Sequence, residues 1–471
     1  MKGMIINMKI FNTVSRKKEE FIPQVEGEYK IYVCGPTVYN FIHVGNARPV
    51  CVFDTLRRYL EYKGNKVIFV QNVTDIDDKL IKRANEENKT VKEIAEIYEN
   101  EFVKDCKGLN VKTPTVQPRA TEHIDEILSI IKDIITKGYG YVAKNGDVYF
   151  RAKKFKEYGK LSHLVLEDLE AGNRNLQSNL EDDLKEDNSD FAVWKAAKEG
   201  EPYWESPYGK GRPGWHIECS AMARKHLGTT IDLHCGGQDL IFPHHENEIA
   251  QSECANGCTF SKYWMHNEFL NINNHKMSKS ANNFFTVRDV ANAYGYEAIR
   301  YFLISGHYRS QLNYTIDVIE GCNSSLERLY TCIKNIDFVI NNATGTQEDL
   351  IKLADETRVK FCTAMEDDLN TPAALASIFE FVKEVNTNIN SQSKHSLETA
   401  KNLIIELTQV LGILYNAKED DIPTNVLELA QKRKEARENK DWALADSIRD
   451  ELKNLGYVIE DTKNGAKVVK L

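Results

Sequence analysis

The sequence predicts an α/β fold with a parallel sheet, split by an insertion and followed by an α-helical bundle and a small C-terminal module. Three observations support this prediction. Apolar runs alternate with helical periodicity over residues 31–70, and helical stretches alternate with short strand-like pieces over about 115–200. Helical periodicity dominates from about 313 to 420. At 471 residues the chain is also too long for one hydrophobic core, so about three or four domains are expected.

Composition describes an ordinary soluble protein. Apolar residues make up 42% of the chain, the mean hydropathy is -0.47, and no apolar run approaches the roughly 20 residues of a membrane span. Ten cysteines without a secretion signal predict reduced thiols or metal ligands, and with them a cytoplasmic location and no membrane partner. The net charge of -9 argues against a uniformly basic nucleic-acid binder. An RNA partner stays open, because local patches govern the affinity for phosphate.

The first strand and helix are predicted over residues 31–62. The apolar run Ile31–Val33 indicates a buried strand that ends at Cys34-Gly35-Pro36, where glycine and proline stop the ladder. Apolar positions recur at helical spacing between Asn46 and Tyr62, so a helix follows. His43 and Asn46 then lie where a loop enters a helix N-terminus, a place where backbone N–H groups and the helix dipole bind phosphate.

A second buried strand, Lys66–Val70, completes a strand–helix–strand unit and predicts a Rossmann-type nucleotide-binding domain. Such units are right-handed almost without exception, and they place functional loops at the carboxyl ends of the strands. Thr74 and Asp75 follow this strand, and we expect them to face the same cleft as Cys34 and His43. The alternative is that Thr74 and Asp75 only cap the next helix.

Residues 115–204 are predicted to form a connective insertion that splits the Rossmann-type domain. Helical stretches alternate here with short strand-like pieces such as Val148–Phe150, and the acidic tract Asn173–Asp190 is expected to be a solvated excursion. The predicted division of the chain is 1–114 and 205–265 for the two halves of the Rossmann-type domain, 115–204 for the insertion, 266–312 for a connecting subdomain, 313–420 for the helical bundle and 421–471 for the C-terminal module.

The Rossmann-type domain is expected to resume at Gly211–Ser220 and to continue through the strand-like run Thr230–His234. Pro243 suits the first turn of the helix that follows, and Glu248 suits the positive end of its dipole. His244 and Glu248 are four residues apart, so we expect them to share one face of that helix.

The C-terminal third is expected to be helical to about residue 416. Asn370-Thr371-Pro372 starts one helix, because asparagine caps a helix N-terminus and proline suits the first turn. Ile422-Pro423 marks a linker to the C-terminal module, in which Gln431–Lys434 opens a charged helix and Tyr457–Val469 forms a hairpin. Acidic and basic residues nearly balance in this module, so an RNA-binding role does not follow from its charge.

The pentapeptide Lys276-Met277-Ser278-Lys279-Ser280 is a polar segment without apolar periodicity. Taken alone, it indicates only a solvated surface loop. Combined with His43-Val44-Gly45-Asn46 at the start of a helix, it resembles the paired signatures of the class I aminoacyl-tRNA synthetases. The two stretches are called the first and second signatures below.

Four residues are candidates to hold a metal ion at the carboxyl edge of the sheet: Cys34, Cys219, His244 and Glu248. Two thiolates, an imidazole and a carboxylate suit Zn²⁺, but their spacing alone does not identify them, and a lone cysteine is more often a buried apolar residue. Cys254 and Cys258 are a rival pair with the spacing of half a structural zinc site. The run HHENE at 244–248 lacks the HExxH order of a zinc peptidase.

Longer stretches of the chain resemble the cysteinyl-tRNA synthetase family, one branch of class I. The resemblance covers nearly the whole length and rests on CGPTVYNFIHVGNARP, NVTDIDDKLI, GRPGWHIECSAM, HCGGQDLIFPHHENEIAQSE, KMSKSANN, HYRSQLNY and MEDDLNTPAAL. It implies ATP-dependent activation of L-cysteine to cysteinyl-adenylate, followed by transfer to the 3′-terminal adenosine of the cysteine tRNA. The implied partners are ATP, L-cysteine and that tRNA, and the chain is expected to act as a monomer.

The same resemblance implies roles for individual residues. Zinc, one ion per chain, is implied on Cys34, Cys219, His244 and Glu248, where it selects the substrate thiolate. ATP, together with Mg²⁺, is implied on His43, Gly45, Asn46, Lys276, Met277, Ser278, Lys279 and Ser280. The implied catalytic residues are His43, Asn46, Lys276 and Lys279. The implied pocket for the substrate cysteine consists of Thr74, Trp215 and His234.

Three other functions are weighed against this one. A ligase that joins cysteine to a small amine would look similar through the second signature, but the long extension from about Asn313 would then have no purpose. A non-catalytic RNA-binding relative is the second alternative, and the intact signatures and metal-ligand set argue against it. A zinc peptidase is a distant third.

Overall fold

The computed structural model describes residues 7–164, 184–273, 275–276, 285–340, 343–416, 423–462 and 465–470. The chain divides into two compact units. The first contains residues 1–323, 362–374 and 410–413, and the second contains residues 324–361, 375–409 and 414–471. None of the helices in the described ranges combines the length and the apolar character that crossing a membrane requires.

The strands in chain order are β1 (Lys9–Asn12), β2 (Lys17–Glu20), β3 (Glu28–Val33), β4 (Lys66–Gln71), β5 (Gly140–Val142), β6 (Val148–Phe150), β7 (Phe191–Ala196), β8 (Gly211–Pro213), β9 (Ile231–Gly237), β10 (Ser261–Asn267), β11 (Leu270–Ile272), β12 (His275–Lys276), β13 (Leu312–Tyr314), β14 (Tyr457–Thr462) and β15 (Gly465–Lys470).

The α-helices in chain order are α1 (Val44–Tyr62), α2 (Asp78–Glu87), α3 (Val91–Gly108), α4 (Ile124–Thr136), α5 (Trp215–Leu227), α6 (Glu246–Asn256), α7 (Val287–Tyr294), α8 (Tyr296–Ser305), α9 (Ile316–Ile340), α10 (Asp349–Glu366), α11 (Thr371–Asn388), α12 (Lys394–Leu411), α13 (Thr424–Glu438) and α14 (Trp442–Asn454).

A parallel four-stranded sheet forms the centre of the first unit, which confirms the α/β prediction. Its strand order is β10-β9-β3-β4, and every neighbouring pair runs parallel. Helix α1 connects β3 to β4, and Tyr32, Val70 and Trp264 belong to one buried core on this sheet. Because all four strands run in the same direction, their carboxyl ends meet at one edge, where such folds bind ligands.

The insertion is an antiparallel sheet of order β5-β6-β7-β8, against which helix α4 packs. Strand β8 belongs to this sheet, because Trp194 of β7 pairs with Pro213 of β8. The parallel sheet therefore resumes at β9 and not, as expected, from Gly211. A three-residue strand without an apolar run gives no sign of its partner in the sequence.

The acidic tract expected to be solvated is partly folded. Its residues up to 183 lie outside the described part of the chain. Asp190 is 3% exposed, and its carboxylate accepts hydrogen bonds from the Tyr141 hydroxyl at 2.9 Å and the Ala152 N–H at 3.1 Å. Glu186 forms an ion pair with Arg151 at 2.6 Å. The expectation is wrong for Asp190, which is buried because its carboxylate finds partners distant in sequence, whereas Glu186 is exposed as expected.

A third sheet, of order β12-β11-β13, follows the parallel sheet, and helices α7 and α8 lie between β12 and β13 in the chain. Strand β12 ends at Lys276, the first residue of the second signature. A fully buried ion pair joins α8 to α1, in which the Arg300 Nη2 atom lies 2.6 Å from the Asp54 carboxylate.

The C-terminal third has the predicted helical character. Helix α11 begins at Thr371, and the Ala373 N–H donates to the Asn370 side chain at 3.1 Å, so the predicted cap is confirmed. In the C-terminal module, helix α13 begins at Thr424, before the predicted start at Gln431. The predicted hairpin is confirmed by the antiparallel pair β14 and β15.

Candidate functional site

A cavity of about 420 Å³ opens at the carboxyl edge of the parallel sheet. Its wall is made by the segments after β3 and β4, the first turns of α1 and α5, and the segments after β9 and β10. The sequence-predicted residues that line it are Cys34, His43, Gly45, Asn46, Thr74, Trp215, Cys219 and His244. Predicted residues from five separate stretches of the chain therefore line one cavity, as the strand directions require.

The first signature forms the N-terminus of α1. The helix begins at Val44, and His43 is its N-cap. The Asn46 N–H donates to His43 Nδ1 at 3.2 Å, and the His43 N–H donates to Asn46 Oδ1 at 3.4 Å. This reciprocal cap satisfies the backbone donors of His43 and Asn46, and Gly45, which lies between them, also lines the cavity.

The second signature lies mostly outside the described residues. Lys276 ends β12, and Met277, Ser278, Lys279 and Ser280 are not among the residues described. The chain that follows is tied to the first signature by backbone pairing. The Val44 N–H donates to the Phe285 carbonyl at 3.3 Å, and the Val287 N–H donates to the Ile42 carbonyl at 3.0 Å.

Arg48 of α1 fixes the segment that precedes the second signature, and sequence reasoning missed it. Its guanidinium is fully buried and donates to the carbonyls of Glu268 at 2.6 Å, Phe269 at 2.8 Å, His307 at 3.1 Å and Ser310 at 2.5 Å. Burial lowers the pKa of Arg48 to about 10. Helix α1 thus holds the chain on both sides of the second signature. An arginine on the buried face of a predicted helix was the available signal.

The four predicted metal ligands lie together at the base of the cavity. Cys34 follows β3, Cys219 lies in α5, His244 precedes α6 and Glu248 lies in the first turn of α6. The two sulfurs are 3.8 Å apart, Cys34 Sγ is 3.5 Å from Glu248 Oε1, and His244 Nε2 is 3.1 Å from the same oxygen. All four donor atoms lie within 4.8 Å of one another, so the set can hold a metal ion.

Charge within this cluster is unevenly distributed. A hydrogen bond from Cys34 lowers the pKa of Cys219 to about 6, whereas burial, followed by Cys219, raises the pKa of Cys34. Burial opposes the charge on Glu248, but His234 and His244 outweigh it and lower its pKa to about 2. Burial also opposes the charge on His244, which Cys219 and Glu248 outweigh, raising its pKa to about 10. Without a metal ion, these shifts favour a thiolate on Cys219, a carboxylate on Glu248 and an imidazolium on His244, whose proton a bound metal ion would displace.

A second set of donors meets the same geometric test: Cys34, His234, His245 and Glu248. His245 Nε2 lies 3.2 Å from Cys34 Sγ, and His234 Nε2 lies 2.9 Å from Glu248 Oε2. His234 and His245 are fully buried and do not line the cavity, whereas Cys219 and His244 do. Because an ion that binds a substrate needs an open position, the first set is the better candidate. Sequence reasoning missed His245, although it adjoins His244.

The predicted substrate pocket is only partly assembled in the cavity wall. Thr74 and Trp215 line the cavity, and the Trp215 ring lies 4.4 Å from that of His244. His234 lies outside the lining, stacked 4.4 Å from the Trp264 ring. Asp75 does not line the cavity either, because its carboxylate accepts from the Thr121 N–H at 3.0 Å.

The capping alternative for Thr74 and Asp75 is wrong. Asp77 is the N-cap of α2, and its side chain accepts from the Lys79 N–H at 2.9 Å. Lys79 itself lines the cavity, as does Asp239 after β9, and neither was predicted. The rival CxxxC pair is also unsupported, because no group of metal donors found in the described residues includes Cys254 or Cys258.

Comparison with known proteins decides the family. Residues 20–324 match the family model "tRNA synthetases class I (C) catalytic domain", residues 360–415 match the DALR domain, and residues 419–468 match "Cysteinyl-tRNA ligase anticodon binding domain". The chain is 56% identical to a cysteine–tRNA ligase of Caldicellulosiruptor saccharolyticus over 469 residues, covering 98% of this chain and 100% of the relative. The chain belongs to the cysteinyl-tRNA synthetase family.

A second relative agrees with this membership, and two solved structures agree with the fold. A cysteine–tRNA ligase of Clostridioides difficile is 51% identical over 98% of this chain and 99% of the relative. A Mycobacterium tuberculosis methionyl-tRNA synthetase with methionyl-adenylate has a TM-score of 0.61 at 15% identity, covering 82% of this chain and 89% of that one. An Agrobacterium radiobacter LeuRS–tRNA complex has a TM-score of 0.60 at 10% identity, covering 83% and 84%. These two structures share the class I fold.

Membership of the cysteinyl-tRNA synthetase family also explains the C-terminal third of the chain. The DALR and anticodon-binding matches cover most of the extension from residue 313 that the small-amine ligase hypothesis left without a purpose. That alternative has no support from the comparisons.

Proposed function

We propose that the protein is a cysteine–tRNA ligase, which activates L-cysteine with ATP and transfers it to the 3′-terminal adenosine of the cysteine tRNA. The observation that carries the proposal is one cavity that holds a thiol, imidazole and carboxylate cluster beside the N-terminus of α1. Membership of the cysteinyl-tRNA synthetase family and the anticodon-binding match supply the identity of the two substrates.

The first step requires positioning and charge stabilisation. The cysteine carboxylate attacks the α-phosphate of ATP, the bond to the β-phosphate breaks, and pyrophosphate leaves. The nucleophile is already ionised, so no protein base is needed. We assign His43, Gly45 and Asn46 to the phosphate side, because they line the cavity at the N-terminus of α1, where the helix dipole favours an anion. The rest of the ATP site is assigned to the second signature: Lys276, Met277, Ser278, Lys279 and Ser280. Both lysines offset the charge of the triphosphate, and Mg²⁺ would bind with the nucleotide.

The second step is acyl transfer to RNA. A ribose hydroxyl of the terminal adenosine attacks the carbonyl carbon of the adenylate, and AMP leaves with the bonding electrons while the hydroxyl loses its proton. The DALR and anticodon-binding segments are assigned to the body of the tRNA. The division of the chain at 114, 265, 312 and 420 remains part of this proposal, with the insertion extended from 204 to include β8, as does action as a monomer in the cytoplasm.

Cys34, Cys219, His244 and Glu248 would hold a Zn²⁺ ion at the base of the cavity. When bound, zinc supplies a preference for a thiolate over a hydroxyl, and hence for cysteine over serine. The chain supports this cluster, because His234 Nε2 donates to the Glu248 carboxylate at Oε2 and so fixes its direction. Thr74 and Trp215 form the adjoining wall, and His234 contributes from behind it.

The test is transfer of labelled cysteine onto total tRNA by the purified protein with ATP and Mg²⁺. Acid-precipitable counts with cysteine and none with serine are expected. If cysteine drives pyrophosphate exchange but no counts reach tRNA, transfer to RNA is the wrong second step. If neither reaction occurs, the activation proposal is wrong as well.

A further inference from the structure

A buried carboxyl group adjoins the cavity and has no part in the proposed chemistry. Glu218 lies in the first turn of α5, directly before Cys219, and is fully buried. Its Oε2 atom accepts a hydrogen bond from the Thr74 hydroxyl at 3.1 Å, and its Oε1 atom has no hydrogen-bond partner among the described residues. Burying such a group is costly, so its presence requires an explanation.

The Thr74 hydroxyl is oriented by two side chains. Its proton points to Glu218, and the Asn72 side-chain amide donates to the same hydroxyl oxygen at 3.3 Å. The direction of that amide is fixed, because its oxygen accepts the Gly35 N–H at 2.8 Å. A hydroxyl has one donor and two acceptor positions, so one acceptor position is left. Thr74 lines the cavity, and that remaining position is available to a ligand there.

This network also fixes Thr74 relative to both predicted thiol ligands. Gly35 follows Cys34, and Glu218 precedes Cys219. A Cβ atom on Gly35 would lie 1.6 Å from the Asn72 carbonyl oxygen, so only glycine permits this approach. The Thr74 backbone is held as well, since its N–H donates to Pro36 O at 3.2 Å. The hydroxyl therefore has a set position with respect to the two sulfurs.

We infer that Glu218 is a positioning residue that fixes the Thr74 hydroxyl as a hydrogen-bond acceptor for the α-ammonium group of the substrate. The inference rests on the proposed function, because it takes cysteine as the ligand of the cavity. The cysteine thiol is held at the Cys34 and Cys219 end, and its ammonium group donates to Thr74. Glu218 acts only through Thr74 and does not touch the substrate, since it does not line the cavity.

The test is a double-mutant cycle measured by cysteine-dependent pyrophosphate exchange. Thr74→Val and Glu218→Leu are each expected to raise the KM for cysteine about tenfold or more, because each removes or misdirects the acceptor. The double variant is expected to be no worse than the worse single variant, since both changes break one interaction. In a Thr74→Ser background, which keeps a hydroxyl, Glu218→Leu is expected to keep its full effect.

A second probe separates positioning from general damage to the pocket. The compound 3-mercaptopropionate has the thiol and carboxylate of cysteine but no amino group, and it is used as a competitive inhibitor. Its Ki is expected to stay within about twofold of the wild-type value in every variant, because it makes no hydrogen bond to Thr74. The KM for ATP and the metal content per chain are expected to be unchanged.

Two results would overturn the inference. One is a double variant whose rise in the KM for cysteine equals the product of the two single-variant rises. The other is a Ki for 3-mercaptopropionate that rises in parallel with the KM for cysteine. If Glu218→Leu does not fold, Glu218→Asp replaces it and withdraws the carboxyl by one methylene. Its rise in the KM for cysteine is expected to be smaller, and this rise must be absent in the Thr74→Val background. A wild-type protein without cysteine-dependent exchange would instead refute the proposed function.

Discussion

Cys34 and Cys219 are 185 residues apart in the sequence, and their sulfur atoms are 3.8 Å apart in the fold. The burial that usually marks a structural cysteine also holds here, because Cys219 is 2% exposed. The neighbouring groups distinguish the pair, because a carboxylate and an imidazole lie within 4.8 Å of both sulfurs. Burial alone therefore does not separate an apolar cysteine from a metal ligand.

Cys219→Ser is expected to lower the zinc content of the purified protein and to weaken discrimination against serine. A hydroxyl is a much poorer zinc ligand than a thiolate, so the four-donor set loses a strong member. Metal analysis and pyrophosphate exchange with each amino acid measure the two effects. Cys258→Ser is the matched control, because Cys258 is exposed and belongs to no donor set found in the described residues. Undiminished selectivity in Cys219→Ser would refute the assigned role of the thiol.

Lys279→Ala is expected to slow cysteine-dependent pyrophosphate exchange by roughly 10²–10³-fold, the range typical of losing one charge-stabilising contact in a transition state. Zinc content is expected to be intact, because the cluster lies on other elements. Lys144→Ala serves as the control, since Lys144 is an exposed turn residue of the insertion. Near-normal single-turnover activation by Lys279→Ala would contradict the role.

At the scale of elements, helix α1 organises the nucleotide side of the cavity. Its N-terminus carries the reciprocal cap of His43 and Asn46, and its next turn carries Arg48, which binds four backbone carbonyls. The cap could be anticipated from a loop that enters a periodic helix. The partners of Arg48 could not, because the carbonyls belong to residues more than 200 positions away.

Arg48→Lys is expected to reduce the free energy of unfolding by about 2–4 kcal/mol and to raise the KM for ATP. An ammonium group has three donors and cannot span four carbonyls, so buried acceptors lose their partners. Urea denaturation and pyrophosphate exchange give the two quantities. Arg16→Lys, at an exposed position, is the control and is expected to stay within about 0.5 kcal/mol. An unchanged KM for ATP would show that Arg48 serves stability alone.

The buried ion pair between α1 and α8 predicts a pH dependence of stability. Burial opposes the charge on Asp54, but Arg300 and Arg58 outweigh it and hold its pKa below the ordinary value. A depressed carboxyl pKa stabilises the fold above the unfolded-state pKa of about 3.9, and the contribution is lost as the pH falls through the folded-state pKa. We therefore expect the wild-type protein to lose stability on acidification below about pH 4.

Asp54→Asn is expected to cost about 3–5 kcal/mol at neutral pH, because it leaves buried cationic charge without its partner. The variant is also expected to show a smaller loss of stability on acidification than the wild type. Denaturation at several pH values measures both. Asp367→Asn removes an exposed partner of Lys18 and is the control, with an expected cost of about 0–1 kcal/mol. Identical acid profiles for wild type and Asp54→Asn would contradict the assignment.

At the scale of the whole chain, the family-model matches cover two segments, one for amino-acid activation and one for RNA binding. The class I catalytic match ends at 324, and the anticodon-binding match begins at 419. The C-terminal module has a small core of its own, made of Val426, Ile448, Leu452 and Tyr457. Activation of cysteine requires the cavity, and every residue that lines the cavity lies between positions 34 and 270.

Removal of residues 417–471 is expected to leave cysteine-dependent pyrophosphate exchange within about twofold of the full chain while kcat/KM for tRNA falls roughly 10²-fold, because two-site binding is lost. Initial rates of exchange and of transfer onto cysteine tRNA provide the comparison, with the full chain as reference. Equal loss of both reactions would mean that the module supports the catalytic unit and is not specific to RNA.

The sequence by itself determined the local features of this protein. Apolar runs and helical periodicity located β3, α1 and β4, and a capping asparagine located the start of α11. The signatures with their longer stretches indicated the family and the four metal-binding candidates. These features depend on residues close together in the chain, which is why a pattern can carry them.

Only the tertiary structure decided which distant groups meet. It placed β8 in the insertion sheet, buried Asp190, set His245 against Cys34 and directed the Thr74 hydroxyl at Glu218. The physical reason is that burial, hydrogen bonding and charge pairing act over a few ångströms in space, whatever the separation along the chain. Periodicity records which face of an element is buried, but it carries no information about the group that the face will meet.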